Sequence, residues 1–111
     1  MKSLTNEQLC ALAQAGDEQA KSQLIENNRS FVYKTANQFI ENPSWMELFS
    51  VCGIGVDDLA QAGLIGLWRA VGGYDPSREN NFLTYAAPAV KRAMIDFSAS
   101  IQPRRSMAVG A

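Results

Sequence analysis

The chain has 111 residues, 47% of them hydrophobic, and ten lysines and arginines against eleven aspartates and glutamates leave a net charge of −1. That length holds one compact domain with a modest core and no second domain, and the charge balance argues against a protein that coats nucleic acid through bulk positive potential. With no histidine and only Cys10 and Cys52, far apart, the residues supply neither a tetrahedral metal site nor a disulfide scaffold.

Both cysteines are read as small buried apolar residues in a reducing compartment. The polar start, Met1 to Gln8, lacks the apolar run of a signal peptide, and no later stretch reaches the roughly 20 apolar residues that span a bilayer. A soluble, cytoplasmic protein with no membrane partner, no metal and no cofactor is expected.

Taken in chain order, Thr5 with Gln8 forms a capping box, and Leu4, Leu9 and Leu12 share one face of a short helix from about Asn6 to Ala15. Gly16 ends it and Asp17 caps the next, whose apolar positions are Ala20, Leu24 and Ile25. From Asn28, the residues Phe31, Val32, Thr35, Ala36, Phe39 and Ile40 recur at spacings of three and four, which predicts a long third helix central to the core. Asn42-Pro43-Ser44 breaks that pattern. The short apolar segment Trp45 to Val51 is predicted as a helical excursion, loosened afterwards by Gly53 and Gly55.

Asp57 and Asp58 sit where carboxylates favour a helix N-terminus, opening a helix from Val56 to Val71. Its predicted apolar face comprises Leu59, Gly63, Ile65, Gly66, Leu67, Ala70 and Val71, and Gly72-Gly73 is read as its terminator. A turn-rich connection, Tyr74 to Asn81, leads to a last helix predicted from Phe82 to about Ser98. The division is thus a helical domain over 1–98 and a disordered tail or truncated continuation over 99–111. No strand pattern or repeat interrupts this reading, so the fold class is all-α, a compact bundle of about four to five helices.

The run from Asp58 through Gln61, Gly63, Gly66 and Leu67 to Val71, then Tyr74-Asp75-Pro76 with Arg78, then Phe82-Leu83-Thr84-Tyr85-Ala86, resembles the second region of sigma-70 family sigma factors. The upstream Ala15-Gly16-Asp17, Leu24-Ile25, Asn28, Val32 and Ala36 are similar to the opening helices of that region. The resemblance covers most of the chain up to about Phe97 and rests on the order of individually weak motifs.

It implies bacterial transcription initiation. The glutamine-bearing helix, with Asp58, Gln61, Ala62, Leu64 and Trp68, is expected to dock on a coiled coil of the largest subunit of core RNA polymerase. The following helix, with Phe82, Thr84, Tyr85, Lys91, Arg92 and Ile95, is expected to capture the minus-ten promoter element as a single strand. Those residue types suit the roles: Asp58 and Gln61 lie one turn apart beside a large aromatic anchor, aromatic faces stack on unpaired bases at roughly 1–3 kcal/mol each, and Lys91 and Arg92 follow to hold phosphates.

The chain departs from the family at several positions. Pro88 and Ala89 stand where housekeeping factors carry paired tryptophans, which makes the chain resemble alternative sigma factors, and Ala62 and Leu64 replace acidic and amide residues of the docking helix. Nothing after the last helix matches the helix-turn-helix for the minus-thirty-five element, so either a piece of a longer factor or a short relative is expected.

Plainer readings stand beside these: Phe82, Tyr85 and Trp68 as core residues, the two aspartates as ordinary caps, and Lys91 and Arg92 as a solvated face. The rival function is a helical interaction module that docks on polymerase or an anti-sigma factor without touching DNA. An enzyme is set aside because no nucleophile and base, phosphate-cradling loop or metal set assembles from these residues, and no catalytic residue is assigned.

Overall fold

A computed structural model of the chain describes residues 4–78 and 80–110, with side chains described as far as Ile101. Six helices follow one another: α1 (Asn6–Gln14), α2 (Glu18–Asn27), α3 (Arg29–Ile40), α4 (Pro43–Cys52), α5 (Val56–Gly73) and α6 (Phe82–Gly110). No strand occurs among the described residues.

The capping box is made in both directions. The Gln8 N–H donates to the Thr5 hydroxyl at 3.1 Å, and the Thr5 N–H donates to the Gln8 side-chain oxygen at 2.9 Å. Gly16, at φ +106°, turns the chain between α1 and α2, a left-handed position that favours glycine. The Asp17 carboxylate then accepts the Ala20 N–H at 3.0 Å and starts α2.

The helix beyond the expected four to five is α4. Pro43 is predicted to be a breaker, yet it occupies the first turn of a helix, where its missing N–H leaves nothing unsatisfied and its fixed φ suits the start. Asn42 caps that start through the Ser44 N–H, and Gly53 closes the end at φ +69°. Phe39, Trp45 and Phe49 pack ring against ring at centroid distances of 5.9 to 6.2 Å and bind α4 to α3. The chain bends by 114° between α4 and α5. No single helix among the described residues is long and apolar enough to cross a membrane.

The core is built chiefly by α5 packing antiparallel on α6, with α3 alongside. Antiparallel order follows from the close approaches: Gly63 faces Val90 and Met94, Gly66 faces Ala89 and Ala93, and Gly73 faces Tyr85. A Cβ on Gly66 would stand 2.6 Å from the Ala89 carbonyl oxygen, so glycine is what allows the backbones this near. Phe82, Ala86, Val90 and Met94 form the inward stripe of α6 at strict four-residue spacing, all fully enclosed. Burying side chains of the size of Phe82, Leu59 and Leu67 contributes roughly 1.5–3 kcal/mol each.

Some predicted core positions lie elsewhere. Ile65 is 54% exposed because it sits on the side of α5 opposite the buried stripe of Leu59, Gly63, Gly66, Leu67 and Ala70. Leu12 also faces outward, and Cys52 is half-buried, whereas Cys10 is enclosed and donates its thiol hydrogen to the Val71 carbonyl at 3.2 Å. Gly72 and Gly73 form the last turn of α5 and do not cut it short. Finally, α6 continues past its predicted end at about Ser98 to Gly110, and Ser98 is buried and returns its hydroxyl to the Met94 carbonyl, extending the packed face.

Candidate functional site

The predicted site residues fall on two surfaces, one on α5 and one where α5 turns into α6. On α5, Asp58 is exposed but already engaged: its carboxylate accepts the Gly55 N–H at 2.9 Å and secures the helix start. Asp58, Gln61 and Ala62 lie together in a groove of about 380 Å³, which Ile65 and Arg69 extend along α5 and Asp96 and Phe97 border from α6. Ile65, Arg69, Asp96 and Phe97 are absent from the sequence-predicted set. The spacing Asp58, Ala62, Ile65, Arg69 follows one helical stripe and would have found the first two.

Leu64 and Trp68 are not part of this groove. Leu64 is half-buried against the core. Trp68 is 44% exposed and lies under a cation from α2, with the Lys21 ammonium 3.8 Å from its ring centroid. The plainer reading of Trp68 as a core residue is thereby corrected.

At the second surface the two predicted stacking rings part company. Phe82 is fully enclosed, edge-on to Tyr74 at 5.5 Å and 85°, so its face is unavailable to a base. The cause is the inward four-residue stripe of α6, which begins at Phe82. Tyr85 is 39% exposed and leans on Tyr74 at 5.6 Å. Beside them opens a pocket of about 270 Å³ lined by Gly73, Tyr74, Asp75, Arg78, Asn80 and Tyr85.

The pocket wall is ordered by its own hydrogen bonds. The Asp75 carboxylate accepts the Ser77 hydroxyl at 2.6 Å and the Ser77 N–H at 3.0 Å, and Arg78 approaches it at 3.8 Å. The Ser77 hydroxyl, then the Ser77 N–H, hold this carboxyl below the usual carboxylate range, with a smaller contribution from Arg78. The Tyr74 hydroxyl donates to the Asn80 carbonyl at 2.8 Å, and burial, then the charge of Glu7, push its phenol above the ordinary value.

Asn81 starts α6 by accepting the Thr84 N–H at 2.8 Å, a cap that the sequence reading missed. Thr84, Lys91, Arg92 and Ile95 are all exposed. Helical spacing puts Arg92 on the stripe of Tyr85, two turns on, and puts Lys91 and Ile95 on the stripe of Thr84. Arg92 is paired with Asp96 at 3.4 Å. Of the positions lacking the tryptophan pair, Pro88 faces solvent, while Ala89 is half-buried against Gly66.

The family described as Sigma-70 region 2 matches residues 24–103. Over 80 residues the chain is 35% identical to the RNA polymerase sigma-E factor of Clostridium acetobutylicum, covering 72% of this chain and 30% of that protein. It is 34% identical over 83 residues to the RNA polymerase sigma-F factor of Bacillus subtilis, covering 75% and 29%. It is 31% identical over 91 residues to the RNA polymerase sigma factor RpoS of Coxiella burnetii, covering 78% and 23%. The chain thus spans less than a third of the length of these curated relatives. With the family match running from α2 into α6, through the α5 groove and the Tyr85 pocket, the chain belongs to the sigma-70 region 2 family.

Proposed function

We propose that this chain is a transcription-initiation module that docks on core RNA polymerase through the α5 groove and holds the minus-ten promoter strand through the turn between α5 and α6. It acts by binding, not by catalysis, and on this reading it works in the cytoplasm beside the polymerase.

The observation that carries the reading is the pocket of about 270 Å³ beneath the half-exposed Tyr85 ring. Tyr85 and Tyr74 give it an aromatic lining, and Asp75, Arg78 and Asn80 give it polar residues. An everted base stacks on such a ring at a gain of roughly 1–3 kcal/mol, comparable to the few kcal/mol needed to unpair and unstack it. Lys91, further along α6, is available for phosphates, and Arg92 joins it on releasing Asp96.

A second reading is favoured by the pairing of Arg92 with Asp96, which engages one of the two cations expected to hold phosphates. In that reading the chain docks on polymerase or an anti-sigma factor through the α5 groove without engaging DNA.

Fluorescence anisotropy with single-stranded and duplex minus-ten oligonucleotides separates the two. Preferential binding of the single strand, weakened in a folded Tyr85→Ala protein, is expected. Equal, weak binding of both strands by the wild-type chain, alongside capture of core polymerase, would leave only the interaction module standing.

A further inference from the structure

α1 lies before the stretch matched by the family, and yet its side chains are bonded to both ends of the connection that forms the pocket. The Gln14 amide donates to the Val71 carbonyl at 2.8 Å and to the Tyr74 carbonyl at 2.7 Å. Cys10 donates to the same Val71 carbonyl. On the other side, the Phe82 N–H donates to the Glu7 carboxylate at 2.7 Å, bridging 75 positions of sequence.

One of these bonds falls on the pocket-lining Tyr74 and another on Phe82, at the start of the helix that carries Tyr85. Gln14 fixes the backbone of Tyr74, which lines the pocket, at the point where α5 ends. Glu7 fixes the first N–H of α6, three residues ahead of Tyr85, and adds a negative charge where the helix dipole favours one. Neither residue lines the pocket.

We propose that Glu7 and Gln14 are positioning residues for base capture, so that α1 holds the Tyr74 backbone and the first turn of α6 where the exposed face of Tyr85 can take one unpaired base. This inference rests on the function proposed above. It also has a sign that separates it from bulk electrostatics. Removing the Glu7 charge makes the chain less negative, which by attraction alone strengthens DNA binding, whereas loss of positioning weakens the hold on the base.

The test uses the full chain and a labelled mixed-sequence single strand, intact or carrying an abasic site at each position in turn. The wild-type protein is expected to prefer the intact strand over at least one abasic strand. Glu7→Ala and Gln14→Ala are each expected to lower that preference by about threefold to tenfold, the worth of a lost hydrogen bond. Glu7→Gln, which keeps an acceptor for the Phe82 N–H, retains it. A merely structural role would lower the melting temperature and leave the ratio of intact to abasic affinities unchanged.

Should Glu7→Ala fail to fold, Glu7→Asp, which keeps the charge and withdraws the carboxylate by one methylene, takes its place with the same expected loss. If the wild-type chain ignores abasic sites, the proposed function itself fails. If the wild type discriminates and the Glu7 and Gln14 variants discriminate equally well, the positioning role is overturned and the function stands.

Discussion

Gly73 and Tyr85 compete for one space: a Cβ built on Gly73 would stand 2.6 Å from the Tyr85 hydroxyl oxygen. Gly73 has no left-handed backbone to demand glycine, so what it provides is room for the ring. Gly73→Ala is therefore expected to leave stability unchanged or raised by up to about 1 kcal/mol through helix propensity. The same change should push Tyr85 aside and reduce affinity for single-stranded DNA by about tenfold, the worth of a stacked base. Thermal melts paired with anisotropy measure both, and unchanged DNA binding would remove Tyr85 from the site.

The close approach of α5 and α6 at Gly66 gives a prediction of opposite sign. A methyl group there meets the Ala89 backbone carbonyl, which cannot turn away, and the Ala93 side chain. Gly66→Ala should destabilise by about 1–3 kcal/mol in urea unfolding despite its better helix propensity. Gly63→Ala should cost less, since its obstacles are the side chains of Met94, Val32 and Val90. Equal costs at the two glycines would contradict the packing described.

Trp68 is exposed enough that its removal should barely touch the fold. Trp68→Ala is expected to change stability by less than about 1 kcal/mol, while core polymerase affinity falls at least about tenfold if the ring is an anchor. Lys21→Gln, which strips the cation from above the ring, should cost no more than about 1 kcal/mol and alter Trp68 fluorescence. Polymerase pull-down with titrated variants gives the measurement; wild-type affinity in Trp68→Ala would confine docking to the groove of Asp58 and Ile65.

Acid should loosen the pocket wall through Asp75. Its carboxyl is held below the ordinary value of 3.8, chiefly by the Ser77 hydroxyl, so the folded state favours the charged form. The resulting stabilisation is complete above that value and fades as pH falls through it and below. Stability measured across this range should decline less steeply in Asp75→Asn than in the wild type. Parallel declines would mean that the Ser77 bonds contribute nothing in solution.

The helices from α1 to α3 and the start of α5 were legible because caps and apolar spacing agree locally: Thr5 with Gln8, Asp17, and the Val32, Thr35, Ala36 stripe all act as their patterns predict. Pro43 misleads because a proline that breaks one helix is also well suited to open another, and only tertiary packing of Trp45 on Phe39 decides between them. Ile65 and Phe82 exchange the roles read from type and motif. Ile65 reads inward as an aliphatic residue and Phe82 outward by motif, though the four-residue series Phe82, Ala86, Val90, Met94 already marks a core face. The bonds from Glu7 and Gln14 span most of the chain and leave no periodic trace in sequence.

The Arg92–Asp96 pair bears on how such a domain would tolerate brine. Each phosphate neutralised on a single strand steepens the dependence of log affinity on log salt by about 0.7. Lys91 has no such pairing among the described residues, so on the proposed reading Lys91 meets a phosphate directly while Arg92 must first release Asp96. A grip made by rings and hydrogen bonds, and little by long-range attraction, gathers partners slowly but keeps them when the ionic strength climbs.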